Sequence, residues 1–200
     1  MIEPSGSHSS FESSEESALF CHDLPSRPLA GMGKILVTGA SGYIGGRLVP
    51  ELLARGYTLR VMVRAPSPVY RELWPNVEVV AADAHDLEQL RAALKGIDTA
   101  YYLIHSLLLG HKEFAVADIQ AAVNFCIAAD ENRIKRIIYL GGLGDTQSKL
   151  SLHLQSRIRV AEELKKGKAP VTTLRAAIII GSGSASYEII QHLVKDFLSS

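Results

Sequence analysis

The chain has 200 residues, 47% of them hydrophobic, enough for one sizeable α/β domain but not comfortably for two. Lys plus Arg equal Asp plus Glu at 21 each, and no basic block stands out, which argues against nucleic acid as a partner. Cys21 and Cys126 lie far apart without metal-type spacing, and no apolar run reaches the roughly 18 residues of a membrane span, so a soluble, cytoplasmic protein without a metal site or membrane partner is expected.

Residues 1–31 are rich in Ser and Glu and lack apolar periodicity. They read as a disordered N-terminal segment ahead of a domain over residues 32–200. The segment has neither the basic start and apolar core of a signal peptide nor the composition of a transit peptide. Met32 directly precedes the first strand and is read as the true start, which the mass of the native N-terminus would decide.

Residues 34–38 (KILVT) have strand character and run straight into Gly39-Ala40-Ser41-Gly42-Tyr43-Ile44-Gly45, with a helical pattern after it. This is G-x-x-G-x-x-G between a strand and a helix. Gly39 allows a tight turn, Gly42 lets a pyrophosphate approach bare backbone, and Gly45 brings the helix close to the sheet. Ser41, Tyr43 and Ile44 complete the turn, and the helix start aims free N–H groups and its positive dipole end at the phosphates. In this context the pattern points to a dinucleotide.

The helix over residues 43–55 carries Ile44, Leu48, Leu52 and Leu53 on one face, with Pro50 expected to bend it and Gly56 to close it. A strand over 57–63 follows, then a short helix at 69–74 and a third strand at 77–81. Asp86 should N-cap a helix over 87–94. A fourth strand is expected at 98–104, a loop at 106–111, and a long helix over 113–132 with Phe114, Ala117, Ala121, Phe125 and Cys126 inward. The fifth strand reads as 136–140, with residues 141–144 as a glycine-rich turn. A helix over 151–166, a sixth strand over 171–175 and an amphipathic helix over 187–198 complete the pattern. Strands alternating with helices specify an α/β doubly wound parallel sheet, a Rossmann fold in order 3-2-1-4-5-6, whose ligand lies at the carboxyl ends of the strands.

The residue nineteen positions beyond Gly45, at the end of the second strand, is Arg64, where an NAD-type site carries an acid. An arginine there meets a 2′-phosphate, so NADP is favoured over NAD, with Arg60 as a further source of positive potential. Asp83 follows the third strand, where such folds set a carboxylate near the adenine amino group; its alternative is a solvated loop residue.

With TGASGYIG, the arginine-ended second strand and RIIYLGGLG, the chain resembles the short-chain dehydrogenase/reductase superfamily, and within it the atypical NAD(P)H-binding, NmrA-like or nucleoside-diphosphate-sugar epimerase-like proteins. The resemblance covers residue 34 to the C-terminus. It implies an oxidoreductase or epimerase-like enzyme in which a hydroxyl after strand five works with Tyr-x-x-x-Lys on the next helix. Here strand five runs into Gly141-Gly142-Leu143-Gly144, and His153 and Arg157 stand where the Tyr and Lys would. Two readings stay open. His153 and Arg157 share a helix face and serve acid/base and anchoring roles, or the protein is a non-catalytic NADP(H) redox sensor with a protein partner. His105, His111 and Tyr139 read as solvated or core residues. The two long helices are compatible with a homodimeric four-helix face. Resembling proteins continue past the point where this chain stops, so it reads as the first part of a longer protein.

Overall fold

In a strand, successive side chains leave on opposite faces, so a strand that is apolar throughout needs cover on both sides. The computed structural model describes residues 30–105, 113–143, 151–181 and 183–198, and shows that arrangement. Strands β1 (Ile35–Thr38), β2 (Leu59–Val63), β3 (Glu78–Ala81), β4 (Thr99–Tyr102), β5 (Arg136–Gly142) and β6 (Val171–Ala176) form one sheet in the order β3-β2-β1-β4-β5-β6. Every neighbouring pair is parallel, with Val37 on β1 opposite Val61 on one side and Tyr101 on the other. Between the strands run α1 (Tyr43–Ala54), α2 (Val69–Leu73), α3 (Leu87–Leu94), α4 (Glu113–Glu131) and α5 (Leu152–Leu164), and α6 (Ala185–Leu198) follows β6.

The two faces hold two cores. Leu36, Tyr102, Ile137 and Tyr139 pack under α3, α4 and α5 with Leu90, Leu94, Phe125 and Leu164. Ile35, Val37, Leu59 and Val61 pack under α1 with Val49 and Leu52, closed at the β3 edge by Trp74. Tyr102 sits between the rings of Phe125 and Tyr139 at 4.9 and 5.9 Å, both edge-on, the geometry aromatic quadrupoles favour.

The expected topology holds, and the departures from the expected elements have local causes. α1 continues through Pro50, which leaves the Gly46 carbonyl without its donor four residues on. β5 does not stop at Leu140: Gly141 and Gly142 stay in the sheet opposite Arg175 and Ala176. A side chain at Gly142 would lie 2.8 Å from Leu154 Cδ2, so the glycines there admit α5 against the strand rather than making a turn. Asp86 caps α3 as expected, its carboxylate accepting from Gln89 N at 3.0 Å. Cys126 is half-buried rather than enclosed, with its sulfur under Gly167, and burial pushes its thiol up. Cys21, the loop at 106–111, Gly144 and the side chain of Phe114 lie outside the described residues. Among the described residues, no helix is long and apolar enough to cross a membrane, and no cluster of His, Cys, Asp and Glu forms a metal site.

Candidate functional site

The strand order reverses between β1 and β4, so the carboxyl ends of these two neighbours diverge into their connections and leave a crevice. Thr38 fixes its floor. Its buried hydroxyl donates to Tyr101 O at 2.9 Å and accepts from Leu103 N at 3.0 Å, joining the ends of β1 and β4 before the chains part.

The glycine turn rises from that floor. Gly39 has φ +61°, and a Cβ on it would meet Leu103 O at 2.8 Å, so conformation and close approach both demand glycine. Gly42 N donates to Gly39 O at 2.9 Å and closes the turn. A side chain at Gly45 would strike Gly39 O at 2.4 Å and Ala40 Cα at 2.6 Å, so its absence lets α1 start against the strand end. Gly42 is the N-cap of α1, with an extended backbone and no side-chain cap, and the first turn of the helix holds no acidic residue. Ser41 and Gly42 are exposed. The first N–H groups of α1 therefore face outward with no partner in their own helix, over a bare backbone surface. A diphosphate fits this cradle, and a side chain at Gly42 would occupy it.

Tyr43 and Ile44 are half-buried at the start of α1. The Arg47 guanidinium lies 3.9 Å over the Tyr43 ring. The phenolic oxygen abuts Gly181 beyond β6, where an added Cβ would lie only 2.2 Å from it.

Arg64 is exposed just past the end of β2, close enough for its charge to act on Asp83. Asp83 Oδ1 accepts from His85 N at 2.9 Å and faces His85 Nδ1 at 3.0 Å. The carboxyl is held below the usual carboxylate value, first by the His85 backbone hydrogen bond, then by the His85 ring and the Arg64 charge. These two expected residues thus lie near each other, just past the carboxyl ends of β2 and β3. Arg60 does not join them. It donates to the carbonyls of Ala93 and Lys95 at 2.7 and 2.9 Å and pairs with Glu78 at 2.8 Å. Four residues of extended chain set it roughly 13 Å back from Arg64, where it caps the end of α3.

At the other end of the crevice, the Arg157 guanidinium donates to Leu140 O and lies 5.4 Å from the Tyr139 ring centre. Tyr139 is buried, its hydroxyl donates to Arg157 O at 3.1 Å, and burial pushes it up to about 12. Arg157 thereby ties α5 to β5. The side chain of His153, one turn earlier, lies outside the described residues, as does His111. A cavity of about 950 Å3 opens beside Arg157, but it runs under α5 toward Val171 and Lys165 on the sheet edge, away from the glycine turn. Thr38, the Tyr43–Gly181 contact and His85 were not singled out from the sequence. A threonine at a strand end has many ordinary uses, and the other two depend on residues far apart in the chain.

A family model described as NAD(P)H-binding matches residues 39–193, starting at the first glycine of the turn. The 3-beta-hydroxysteroid dehydrogenase of Mycolicibacterium neoaurum is 31% identical over 118 residues, 54% of this chain and 31% of that protein. Among solved structures, the Citrobacter sp. triphenylmethane reductase complexed with NADP(H) matches with a TM-score of 0.68 at 23% identity, over 84% of this chain and 55% of that one. The Bordetella bronchiseptica enzyme WbmG in complex with NAD matches with a TM-score of 0.69 at 19% identity, over 84% and 61%. The match spans about a third of the curated relative and little more than half of the solved neighbours.

Proposed function

The chain belongs to the NAD(P)H-binding family, and from that premise we propose that it is the dinucleotide-holding part of an NADP(H)-dependent oxidoreductase or epimerase-like enzyme of the atypical short-chain dehydrogenase/reductase, NmrA-like kind. The observation that carries the reading is the uncapped start of α1 behind the turn at Gly39, Gly42 and Gly45, at the reversal of strand order.

When bound, the nicotinamide supplies hydride transfer. The chain's own residues then have separate tasks. The N–H groups of residues 43–45 hold the diphosphate, with Ser41 beside them. Arg64 pairs with the 2′-phosphate, which favours NADP over NAD, and Asp83 accepts from the adenine amino group. Thr38 keeps the crevice floor rigid. Arg157 fixes the end of β5 and so the wall on the nicotinamide side. His153 stands one helical turn before it and is the candidate for proton transfer.

The named dehydrogenase and reductase among the similar proteins favour an enzyme over a redox-sensing module. A cytoplasmic setting and pairing of two copies through α4 and α5 belong to the same reading. NADPH oxidation with aldehydes, quinones and nucleotide sugars tests it. Turnover that persists in Arg157→Lys and is lost in His153→Gln is expected, and NADPH binding without oxidation of any substrate would favour the sensor instead.

A further inference from the structure

The first residue of α1 faces two ways. The backbone N–H of Tyr43 belongs to the cradle, while its side chain leaves the cradle for the connection after β6. The Arg47 guanidinium, one turn on, covers the ring at 3.9 Å, a cation–π contact that holds the phenol in place. A Cβ built on Gly181 would overlap the Tyr43 hydroxyl oxygen and lie 3.5 Å from Cζ, so that oxygen already touches the Gly181 main chain. Gly181 has no positive φ, so the phenol, and not the backbone conformation, demands glycine there. Gly183 shows the reverse: its φ is +76°, and an added Cβ would meet nothing within 4 Å.

Gly181 begins a turn that is locked to α6. Ser184 N donates to Gly181 O at 2.9 Å, and the Ser184 hydroxyl accepts from Gly181 N at 3.3 Å and from Tyr187 N at 3.2 Å. Glu188 N donates to Ser184 O at 3.0 Å, and Ser184 is buried. The turn and the start of the helix therefore move as one piece. β6 lies three places from β1 in the sheet, so residues 177–181 lead from the sheet edge back toward the glycine turn, past the carboxyl ends of β5 and β4. Ile178 and Ile180 on that connection are exposed, as are Ile189, Ile190, Leu193 and Val194 on α6. Side chains that face solvent restrain a segment little, and the Tyr43 contact ties this one at its far end.

We propose that Tyr43 is a positioning residue that couples the two halves of the crevice. A diphosphate seated on the start of α1 fixes, through the phenol, the turn at 181–184 and the first residues of α6. The proposal rests on the dinucleotide reading of the site. A ligand held by the N–H groups of residues 43–45 immobilises the backbone from which the phenol springs. The phenol meets Gly181 at contact distance, so motion lost at α1 is motion lost at the turn. Coupling between sites is reciprocal, so a turn seated on Tyr43 raises nucleotide affinity by the same factor. The side of the crevice by β6 and α6 is then organised by the bound nucleotide.

Hydrogen exchange of the whole chain, with and without saturating NADPH, reads the coupling. Slower exchange at residues 39–46 reports a filled cradle, and slower exchange at 183–190 reports a seated turn. Wild type should show both. Tyr43→Phe removes the oxygen and opens a gap, and Gly181→Ala drives the turn off the phenol. Each should keep the first protection and lose the second. Each should also bind NADPH about fivefold more weakly, the lower end of usual couplings between sites. In the double variant the new methyl lies 3.5 Å from Cζ, an ordinary contact. Protection at 183–190 should therefore return, with affinity within about twofold of wild type, because the two changes compensate rather than add. Protection at 183–190 that either single variant keeps, or that the double variant lacks, would overturn the proposal. So would wild type whose exchange slows with NADPH at 39–46 alone. Wild type that binds neither NADPH nor NADH would overturn the dinucleotide reading itself, and unchanged exchange at 39–46 tells that case apart.

Discussion

Leu36 and Leu174 are the same residue type on two strands of one sheet, the first fully buried on β1 and the second 53% exposed on β6. The contrast extends to their surroundings. Around β1 and β2, both faces are covered, with α1 and Trp74 on one side and α3 and α4 on the other. Around β6 the side chains of Ile178 and Ile180 are 68% and 61% exposed, and α6 presents Ile189, Ile190, Leu193 and Val194 outward. A dinucleotide half needs a rigid cradle and is built from local βαβ units that supply their own cover. On the proposed reading, the half that meets a substrate lies by β6 and α6, where apolar side chains are exposed. The diphosphate and adenine ends of the site should thus be formed in this chain as it stands, and the nicotinamide side should be the more adaptable.

The largest expected effect tests the packing directly. Leu36→Ala should cost about 2–5 kcal/mol, the range for a large-to-small change in a closed core, while Leu174→Ala should stay within about 0.5 kcal/mol. Urea midpoints measure both, and equal losses would mean that β6 is covered in solution. Gly45→Ala comes next, at about 1–3 kcal/mol, because its Cβ meets backbone atoms that have little room to move. Arg64→Ala should leave stability unchanged and weaken NADPH at least tenfold while sparing NADH, since a charge-assisted hydrogen bond contributes about 1.5–3 kcal/mol. An equal loss for both nucleotides would remove Arg64 as the 2′-phosphate ligand.

The smallest effect is on the pH dependence of folding. Asp83 and Asp98 both sit below their usual value of 3.8, Asp83 through His85 and Asp98 through Lys135. A carboxyl depressed in the folded state stabilises the fold above its unfolded value, and that contribution fades as pH falls through the folded one. Stability should therefore be level from pH 7 to about 5 and decline below about 4. Asp98→Asn should soften that decline only slightly, because its partner Lys135 is exposed and solvent screens the pair.

The sequence made the strand, glycine turn and helix start at residues 35–54 legible because their signals are local. A strand, three glycines and a helix start lie within a dozen residues, and the Asp86 cap and the strand alternation are equally short-range. The end of β5 was misread for the opposite reason. Gly141-Gly142 looks like a turn until the pairing with Arg175 and Ala176 and the approach of Leu154 are known. Arg60 and Arg64 are indistinguishable by composition, and only the register of β2 sends one to the α3 carbonyls and leaves the other at the crevice. His85 Nε2 lies 3.1 Å from Ala117 O on another helix, a contact no spacing rule supplies.

The central claim, that bare backbone at Gly42 receives a diphosphate, separates from folding because Gly42 is exposed and an added Cβ comes no nearer than 3.2 Å to Gly39 O. The direct measurement is the NADPH dissociation constant of Gly42→Leu beside its melting temperature. Affinity reduced at least a hundredfold, with melting within about 3 °C of wild type, is the expected result. Affinity equal to wild type in a folded Gly42→Leu protein would contradict the claim.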